Sequence, residues 1–249
     1  MKIALTTILL FLINTYFSQT INFKINTSDI EIVSTLFESE SINNEECKWK
    51  MKISDKYEFQ EFENDSLTTS IDTTFNFKIY DETFKYILTS TKIKNKDCHS
   101  CAPTLGFIKL KYINQSNEII VEDFQKNIIK YGSWGNKGEL SFLKLSENDF
   151  AIKVSSNYSS MGINTTNETI ILDGKILLSF VSSEDNLEFS DLKSEQYKYT
   201  TSLTVDKNYK IILSKKGTEK NQKTGKIIKI DSTKNYYLED GVLNQKSNL

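Results

Sequence analysis

The sequence lacks arginine and has only one histidine, one proline and three cysteines among its 249 residues. All 31 basic residues are therefore lysine, and 33 acidic residues outnumber them, which gives a net charge of −2. Arginine supplies the bidentate donor that suits phosphate groups best, and nucleic-acid binding depends on an excess of positive charge. The composition therefore argues against a nucleic-acid-binding protein.

The single histidine, His99, restricts the catalytic chemistry open to the chain. An H-E-x-x-H zinc motif needs two histidines, and the sequence contains no G-x-S-x-G or G-x-x-x-x-G-K-[ST] pattern. Carboxylates are numerous, but nothing singles out one pair for acid–base catalysis. The sequence therefore favours a protein without catalytic activity.

Long hydrophobic runs are also scarce, and the longest lies at the N-terminus. A single lysine precedes eleven mostly apolar residues, Ile3 to Ile13, and a more polar stretch ends near Gln19. This is the layout of a secretory signal peptide, and the run is shorter than the roughly 20 apolar residues that span a membrane. We expect residues 1–19 to be a signal peptide and the mature protein to be periplasmic or secreted, without stable membrane insertion. A buried N-terminal strand or helix is the alternative.

The remaining residues, 20–249, can form a substantial core. The sequence is 38% apolar and 12% aromatic, with fifteen Phe and twelve Tyr. This composition excludes disorder over the whole length. Because no proline- or glycine-rich linker interrupts the chain, we expect a single β-rich domain over residues 20–249. A division near residues 182–186 is the alternative.

One short helix is predicted near the start of the mature chain. Ser28 and Glu31 have the spacing of a capping box, and the apolar residues that follow suit one face of a helix ending near Glu40. A strand through Ile30 and Ile32 is the competing interpretation. The polar segment 39–46 is expected to be a loop.

Beyond residue 70 the pattern changes to the two-residue alternation typical of strands with one buried face. Asp81-Glu82 and Asp173-Gly174 separate such stretches, and Asp-Gly is a strong hairpin signal because the tight turn needs positive φ. The expected strands are 74–80, 84–92, 106–113, 149–155, 168–172, 175–181, 197–206 and 208–214. We therefore predict an all-β fold in which antiparallel hairpins form a sandwich or barrel-like domain. The lysine-rich segment 215–229 is interpreted as a solvated hairpin tip, with an anionic binding patch as the alternative.

Two cysteines, the only histidine and the only proline lie together in Cys98-His99-Ser100-Cys101-Ala102-Pro103. In an exported protein, Cys98 and Cys101 can form a disulfide across their two-residue gap, which would leave Cys47 as a free, buried thiol. A disulfide from Cys47 to either of them is an alternative, because its longer loop would stabilise the fold more. Cys98, His99 and Cys101 are also candidate ligands for zinc or copper.

Two catalytic interpretations of the same segment are weaker. A redox dithiol has the C-x-x-C spacing, but the surroundings predict hairpins rather than a βαβ unit. A cysteine nucleophile with His99 as its base would need the two side chains to meet, and catalytic partners normally come from separate elements. The metal site has a weakness too, since a closed zinc site usually shows a second ligand pair and only Cys47 remains.

A glycine-rich loop, residues 132–138, contains Trp134, one of the two tryptophans. An exposed indole ring could stack on a sugar of a cell-envelope glycan, so Trp134 is a candidate ligand contact. The alternative is that the ring folds over the edge of a sheet, because large aromatic side chains are usually buried.

The segment from Asp97 to Pro103 resembles the C-H-x-C-x-P motif of a family of uncharacterised secreted bacterial proteins. In that family a short strand and a later G-x-W-G loop follow the motif, and residues 105–113 and 132–135 are similar here. With a terminal Tyr-x-x-x-Gly stretch at 237–241, the resemblance covers residues 75–243. It implies export and a β-rich domain but no assigned activity. It also includes both cysteines of the motif and leaves Cys47 outside, which favours the Cys98–Cys101 disulfide.

Together these features predict a secreted or periplasmic, non-catalytic binding or envelope module without a cofactor. Its partner would be an envelope glycan or protein, contacted through Trp134. The alternative is a metal-binding protein or thiol-based enzyme centred on the Cys98-His99-Ser100-Cys101 segment, with zinc or copper as its cofactor.

Overall fold

The structure, a computed structural model, describes residues 21–50, 66–93, 102–133, 136–188 and 192–246. These residues form two antiparallel sheets and one short helix, which confirms the all-β prediction. Most neighbouring strands in each sheet are also consecutive in the sequence. That arrangement is expected when short hairpin turns make most of the connections.

The helix α1 spans Asp29–Leu36 and begins with the predicted capping box. The backbone N–H of Ser28 donates to the Glu31 carboxylate at 2.8 Å, and the backbone N–H of Glu31 donates to the Ser28 hydroxyl at 3.4 Å. The hydrogen bonds from Ser28 lower the pKa of the Glu31 carboxyl. The competing strand interpretation is therefore wrong, and the helix ends at Leu36 rather than near Glu40. No helix in the described part of the chain is long and apolar enough to cross a membrane.

The first sheet is formed by the N-terminal half of the chain. Its strands are β1 Asn22–Lys24, β2 Ser41–Ile42, β3 Glu46–Lys50, β4 Ser66–Ile79, β5 Glu82–Ile93, β6 Thr104–Ile113 and β7 Glu118–Lys130. Their order across the sheet is β1-β7-β6-β5-β4-β3-β2. The segment 39–46, expected to be a loop, contains β2, which pairs with β3 in a short hairpin.

Both faces of the first sheet are covered. Alternate residues of β5 point to opposite sides, so Ile87 packs with α1 and Trp49, whereas Tyr86 and Leu88 pack towards the second sheet. The core on the helix side also contains Cys47. The first sheet is therefore the middle layer between α1 and the second sheet.

The second sheet is formed by the C-terminal half of the chain. Its strands are β8 Glu139–Lys144, β9 Phe150–Ser160, β10 Ile163–Leu172, β11 Lys175–Asp185, β12 Lys198–Val205, β13 Ile211–Lys220, β14 Ile227–Glu239 and β15 Val242–Lys246. They follow one another in sequence order across the sheet. The sheet curls so strongly that β15 approaches β11, although three strands lie between them.

The two sheets meet through an aromatic layer. The rings of Phe75 in β4 and Phe142 in β8 stack with their centroids 4.1 Å apart, and Phe150 lies beside Phe75. Ile152 and Ile171 of the second sheet belong to the same buried cluster. The outer face of β8 to β10 thus packs on the first sheet, whereas the inner face of the curl encloses a separate apolar cluster.

The eight predicted strands are all present, and most of them are longer than predicted. Two turn predictions need correction. The β4–β5 turn is Tyr80-Asp81, because Tyr80 adopts positive φ, and β13 begins at Ile211 because Tyr209 lies in the turn after Asp206. Of the fifteen strands that the described residues form, the sequence did not predict seven: β1, β2, β3, β7, β8, β14 and β15. In β7 the alternation is broken because its pairing with β6 is interrupted by two register shifts.

Candidate functional site

Most of the candidate site residues predicted from the sequence are not among the residues that the structure describes. Cys98, His99, Cys101 and Trp134 are all outside the described residues, so the disulfide, the metal site and the tryptophan contact remain predictions. The cysteine segment falls between β5 and β6, whose residues Thr91 and Thr104 pair next to it. Within the described ranges, no three His, Cys, Asp or Glu side chains are close enough together to hold a metal ion.

Cys47 is a free thiol with no exposed surface. It lies in β3 within the core on the helix side of the first sheet, and burial raises the pKa of its thiol to about 11. A buried thiol that stays protonated at neutral pH is a poor nucleophile and a poor metal ligand. Cys47 is thus free and buried, as predicted, whereas the alternative disulfides from Cys47 to Cys98 or Cys101 involve residues outside the described ranges and stay untested.

The loop around Trp134 borders a polar pocket of about 330 Å³. Ser133 and Asn136 exchange two backbone hydrogen bonds, and the Ser133 hydroxyl donates to the backbone carbonyl of Asn157 at 3.1 Å. Hydroxyl and amide side chains dominate the pocket lining, which is Ser133, Asn157, Tyr158, Ser159, Asn164, Thr165, Thr166 and Ser183. Tyr158 is 41% exposed. The pocket therefore offers hydroxyl, amide and aromatic groups together.

A second and more enclosed site lies on the inner face of the curled sheet. Of the described residues of β11 and β12, only Ser183–Asp185 and Lys198–Thr200 pair with each other. Beyond those pairs the two strands diverge, and a groove of about 310 Å³ opens beside them. We call this site the groove, and its lining is Leu178, Ser179, Phe180, Val181, Tyr199, Thr201, Leu213, Lys215, Ser232, Lys234 and Tyr236.

The strand register places the groove side chains in successive rows. At one end, Val205 lies opposite Ile211, which lies opposite Tyr236. These three side chains belong to the apolar cluster inside the curl. The next row contains Leu203, Leu213 and Lys234, and the row after it contains Thr201, Lys215 and Ser232. The inner face thus changes from an apolar row at Tyr236, through a mixed row that contains Lys234, to a polar row at Ser232.

Lys215 is held in place by its neighbours. Its ammonium lies 3.8 Å from the centroid of the Tyr199 ring and forms an ion pair with Glu219. Tyr199 is almost completely buried, and this burial, with the nearby Glu184 and Glu219 carboxylates, raises the pKa of its hydroxyl to about 12. The positive charge of Lys215 is therefore compensated within the protein.

Lys234 differs from Lys215 because its ammonium has no ion pair or hydrogen bond with any described residue. It is exposed and projects from β14 next to Ser232, on the face that also carries Leu213 and Tyr236. Lys234 therefore places an ammonium that no described residue neutralises beside the apolar side chains of Leu213 and Tyr236. This part of the groove attracts anions.

A polar cavity of about 330 Å³ adjoins the groove beyond Tyr199. There the Tyr197 hydroxyl donates to the Glu184 carboxylate at 3.0 Å, and burial together with this contact raises the pKa of Tyr197 to about 12. Glu184 is therefore already engaged by a tyrosine. The side chains of Glu184 and Glu219 line this cavity, whereas Lys234 lines the groove.

The sequence predicted three strands of the groove, β11, β12 and β13, but neither β14 nor the groove itself. The alternation of Tyr199, Thr201, Leu203 and Val205 correctly indicates one inward face. Lys215 was assigned to a lysine-rich hairpin tip, and the structure does place a turn at 221–226. Lys215 itself lies in β13 and lines the groove. The apolar neighbours of Lys215 and Lys234 are the only sequence signal that these two lysines face inwards.

Comparisons of the chain with protein-family models, with curated proteins and with solved structures found no match. The resemblance to the secreted family with the C-H-x-C-x-P motif stays a prediction that depends on the residues quoted for it. The functional assignment below therefore depends on the geometry of the groove and of the polar pocket.

Proposed function

We propose that the protein is an exported, non-catalytic binding module that takes up a small, largely apolar ligand in the groove. The groove carries this proposal, since it is a concave site of about 310 Å³ in which six apolar or aromatic side chains lie beside five polar ones. Concave sites of roughly 300–1,000 Å³ that combine apolar lining with placed polar groups are typical of small-molecule binding.

The curl of the second sheet supports a ligand-binding role. We call Leu213 and Tyr236 in the groove, together with the adjacent Leu203, the apolar floor. These side chains lie on the inner face of the curled sheet. A ligand that covers these side chains gains free energy from apolar burial, about 25 cal/mol for each Å² removed from water. The polar side chains near the other end would orient that ligand.

The test is binding of a neutral, apolar fluorescent dye such as Nile red. Thr201 faces the groove, so Thr201→Trp should fill it and reduce dye binding at least about tenfold, as overpacking of a site predicts. Thr204→Trp is the matched control, because Thr204 is exposed on the outer face of the same strand. Dye binding that is equal in both variants would refute the groove as the binding site.

A second blocking position guards against misfolding of the first variant. Ser232 lines the groove from β14 and is exposed, so Ser232→Trp should obstruct the same space without replacing a buried side chain. Circular dichroism spectra and thermal unfolding midpoints that match those of the unmodified protein would show that both variants fold. The groove assignment requires that both reduce dye binding.

Export is the second part of the proposal, and the signal-peptide layout of residues 1–19 supports it. The mature protein should then begin near Gln19 or Thr20. Intact-mass analysis of the periplasmic and secreted fractions of producing cells measures this directly. A full-length product confined to the cytoplasm would refute export.

The polar pocket supports a second candidate function, binding of an envelope glycan. Its hydroxyl and amide groups suit the hydroxyl groups of a sugar, and Tyr158 adds an aromatic side chain to the pocket lining. Glycan-array binding that is lost in both Tyr158→Ala and Trp134→Ala would support this function. Array binding that survives both changes would refute it.

A further inference from the structure

We infer that the ligand of the groove is an anionic single-chain amphiphile, with a carboxylate or phosphate head at Lys234 and an apolar chain on the floor. This inference rests on the proposed binding function and specifies its ligand class. Three observations carry it: the rows of side chains on the inner face, the charges around the groove, and its volume.

The rows of side chains match an amphiphile in direction. Tyr236 lies opposite Ile211 in the apolar row, and the next row contains Leu203, Leu213 and Lys234. Ser232 and Thr201 lie beyond them, so hydroxyl groups replace methyl groups within a few residues of strand. A ligand with an apolar tail and a polar head can satisfy both ends of the groove, whereas a uniformly polar ligand would leave the floor uncovered.

The charge distribution selects a negative head group. Lys215 is paired with Glu219, but Lys234 has no partner among the described residues. Lys234 lies opposite Leu213, one row away from Lys215. The Glu219 carboxylate is bound to the Lys215 ammonium. Among the described residues, Lys234 is therefore the groove lysine whose charge is not paired.

The volume of the groove and the hydroxyl group of Ser232 restrict the class of ligand further. A site of about 310 Å³ suits one aliphatic chain of moderate length rather than a whole two-chain lipid. Ser232, next to Lys234 on the same face, can donate a hydrogen bond to the second oxygen of a carboxylate. Charge-assisted hydrogen bonds of this kind are stronger than those between neutral groups. A fatty acid combines these features.

The test compares dodecanoate with dodecanol, its neutral counterpart of equal chain length, by calorimetric titration of the mature protein. Dodecanoate should bind with one-to-one stoichiometry and more tightly than dodecanol. Lys234→Gln should weaken dodecanoate binding roughly fivefold to tenfold and leave dodecanol binding unchanged. Lys216→Gln is the matched control, because Lys216 lies in the neighbouring strand on the opposite, exposed face and should affect neither ligand.

The outcomes separate this inference from the proposed function. Equal affinities for dodecanoate and dodecanol, or an unchanged dodecanoate affinity in Lys234→Gln, would overturn the anionic head group and leave apolar binding in the groove intact. Binding of dodecanol that persists in both Thr201→Trp and Ser232→Trp would overturn the groove as the site. If neither ligand binds, both the inference and the proposed groove ligand are refuted.

Discussion

Tyr86 donates a hydrogen bond from its hydroxyl to the carboxylate of Asp173 at 3.0 Å, and this contact joins the two sheets. Tyr86 is a core residue of β5, whereas Asp173 lies in the turn between β10 and β11. Lys109 reaches the same carboxylate oxygen at 3.1 Å. The predicted Asp-Gly turn is thus held against the first sheet by its own aspartate. Burial is the main reason that the pKa of the Tyr86 hydroxyl is raised.

Removal of the Tyr86 hydroxyl should weaken the fold. In Tyr86→Phe the ring remains in the core, but Asp173 loses one donor, so the free energy of unfolding should fall by about 1–2 kcal/mol. Denaturant titration of the mature protein measures this change. Tyr80→Phe is the control, because Tyr80 is 83% exposed and loses only a surface hydrogen bond from Asn148. A loss of equal size in both variants would contradict the docking role.

Gly217 should tolerate alanine much less well than Gly225 does. A Cβ at Gly217 would lie 2.2 Å from the backbone oxygen of Lys198 and 2.7 Å from the Cα of Tyr199, neither of which can move alone. Gly225 also has positive φ but meets nothing within 4 Å. We expect Gly225→Ala to cost about 1 kcal/mol of stability through backbone strain, and Gly217→Ala to cost about 2–4 kcal/mol. Denaturant titration of both variants tests the difference, and equal losses would contradict it.

Cys47 should make the fold less stable at alkaline pH. Burial raises the pKa of its thiol from 9.0 to about 11, so the unfolded chain releases this proton at lower pH than the folded chain does. The stabilising contribution is complete below pH 9 and is lost as the pH rises through 11. At about pH 10 the loss should be about 1.4 kcal/mol.

Comparison with Cys47→Ala isolates this effect from the titration of tyrosines. The variant should be less stable overall because it leaves a cavity in the core, but its stability should fall less between about pH 8 and about pH 10. Thermal or denaturant unfolding at the two pH values measures both slopes. Identical slopes in the two proteins would show that the Cys47 thiol does not titrate as its burial requires.

The remaining cysteines should be joined to each other. Cys47 is free and buried in the core, so we expect any disulfide to connect Cys98 with Cys101. Non-reducing peptide mapping should recover these two cysteines in one linked peptide and Cys47 as a thiol that reacts only after denaturation. If all three cysteines are found as thiols, the disulfide prediction is wrong and metal analysis of protein purified without chelator becomes the next measurement. Zinc or copper lost in His99→Ala would then support the metal site.

Short-range features of this protein were predictable because they depend on neighbours in the sequence. The capping box of Ser28 and Glu31 involves residues within one helical turn, and the tight turn at Asp173 and Gly174 depends on two residues that adopt positive φ. The strands around Phe75 and Tyr199 follow from alternation, because successive side chains of a strand point to opposite faces. The sequence alone therefore determined the all-β class and the positions of eight of the fifteen strands in the described residues.

The groove was decided only by the tertiary structure. Alternation indicates that Thr201 faces inwards, but not that Lys215 shares this face or that Phe180 from β11 lies across the gap from them. That arrangement depends on where β11 separates from β12 and on the curl that brings β15 towards β11. Both are properties of the whole sheet, since twist and register accumulate over many strands and no local pattern encodes their sum. For the same reason, the sequence shows that the chain contains many lysines, but only the fold shows that Lys234 lies beside Leu213 and Tyr236 and has no ion-pair partner among the described residues.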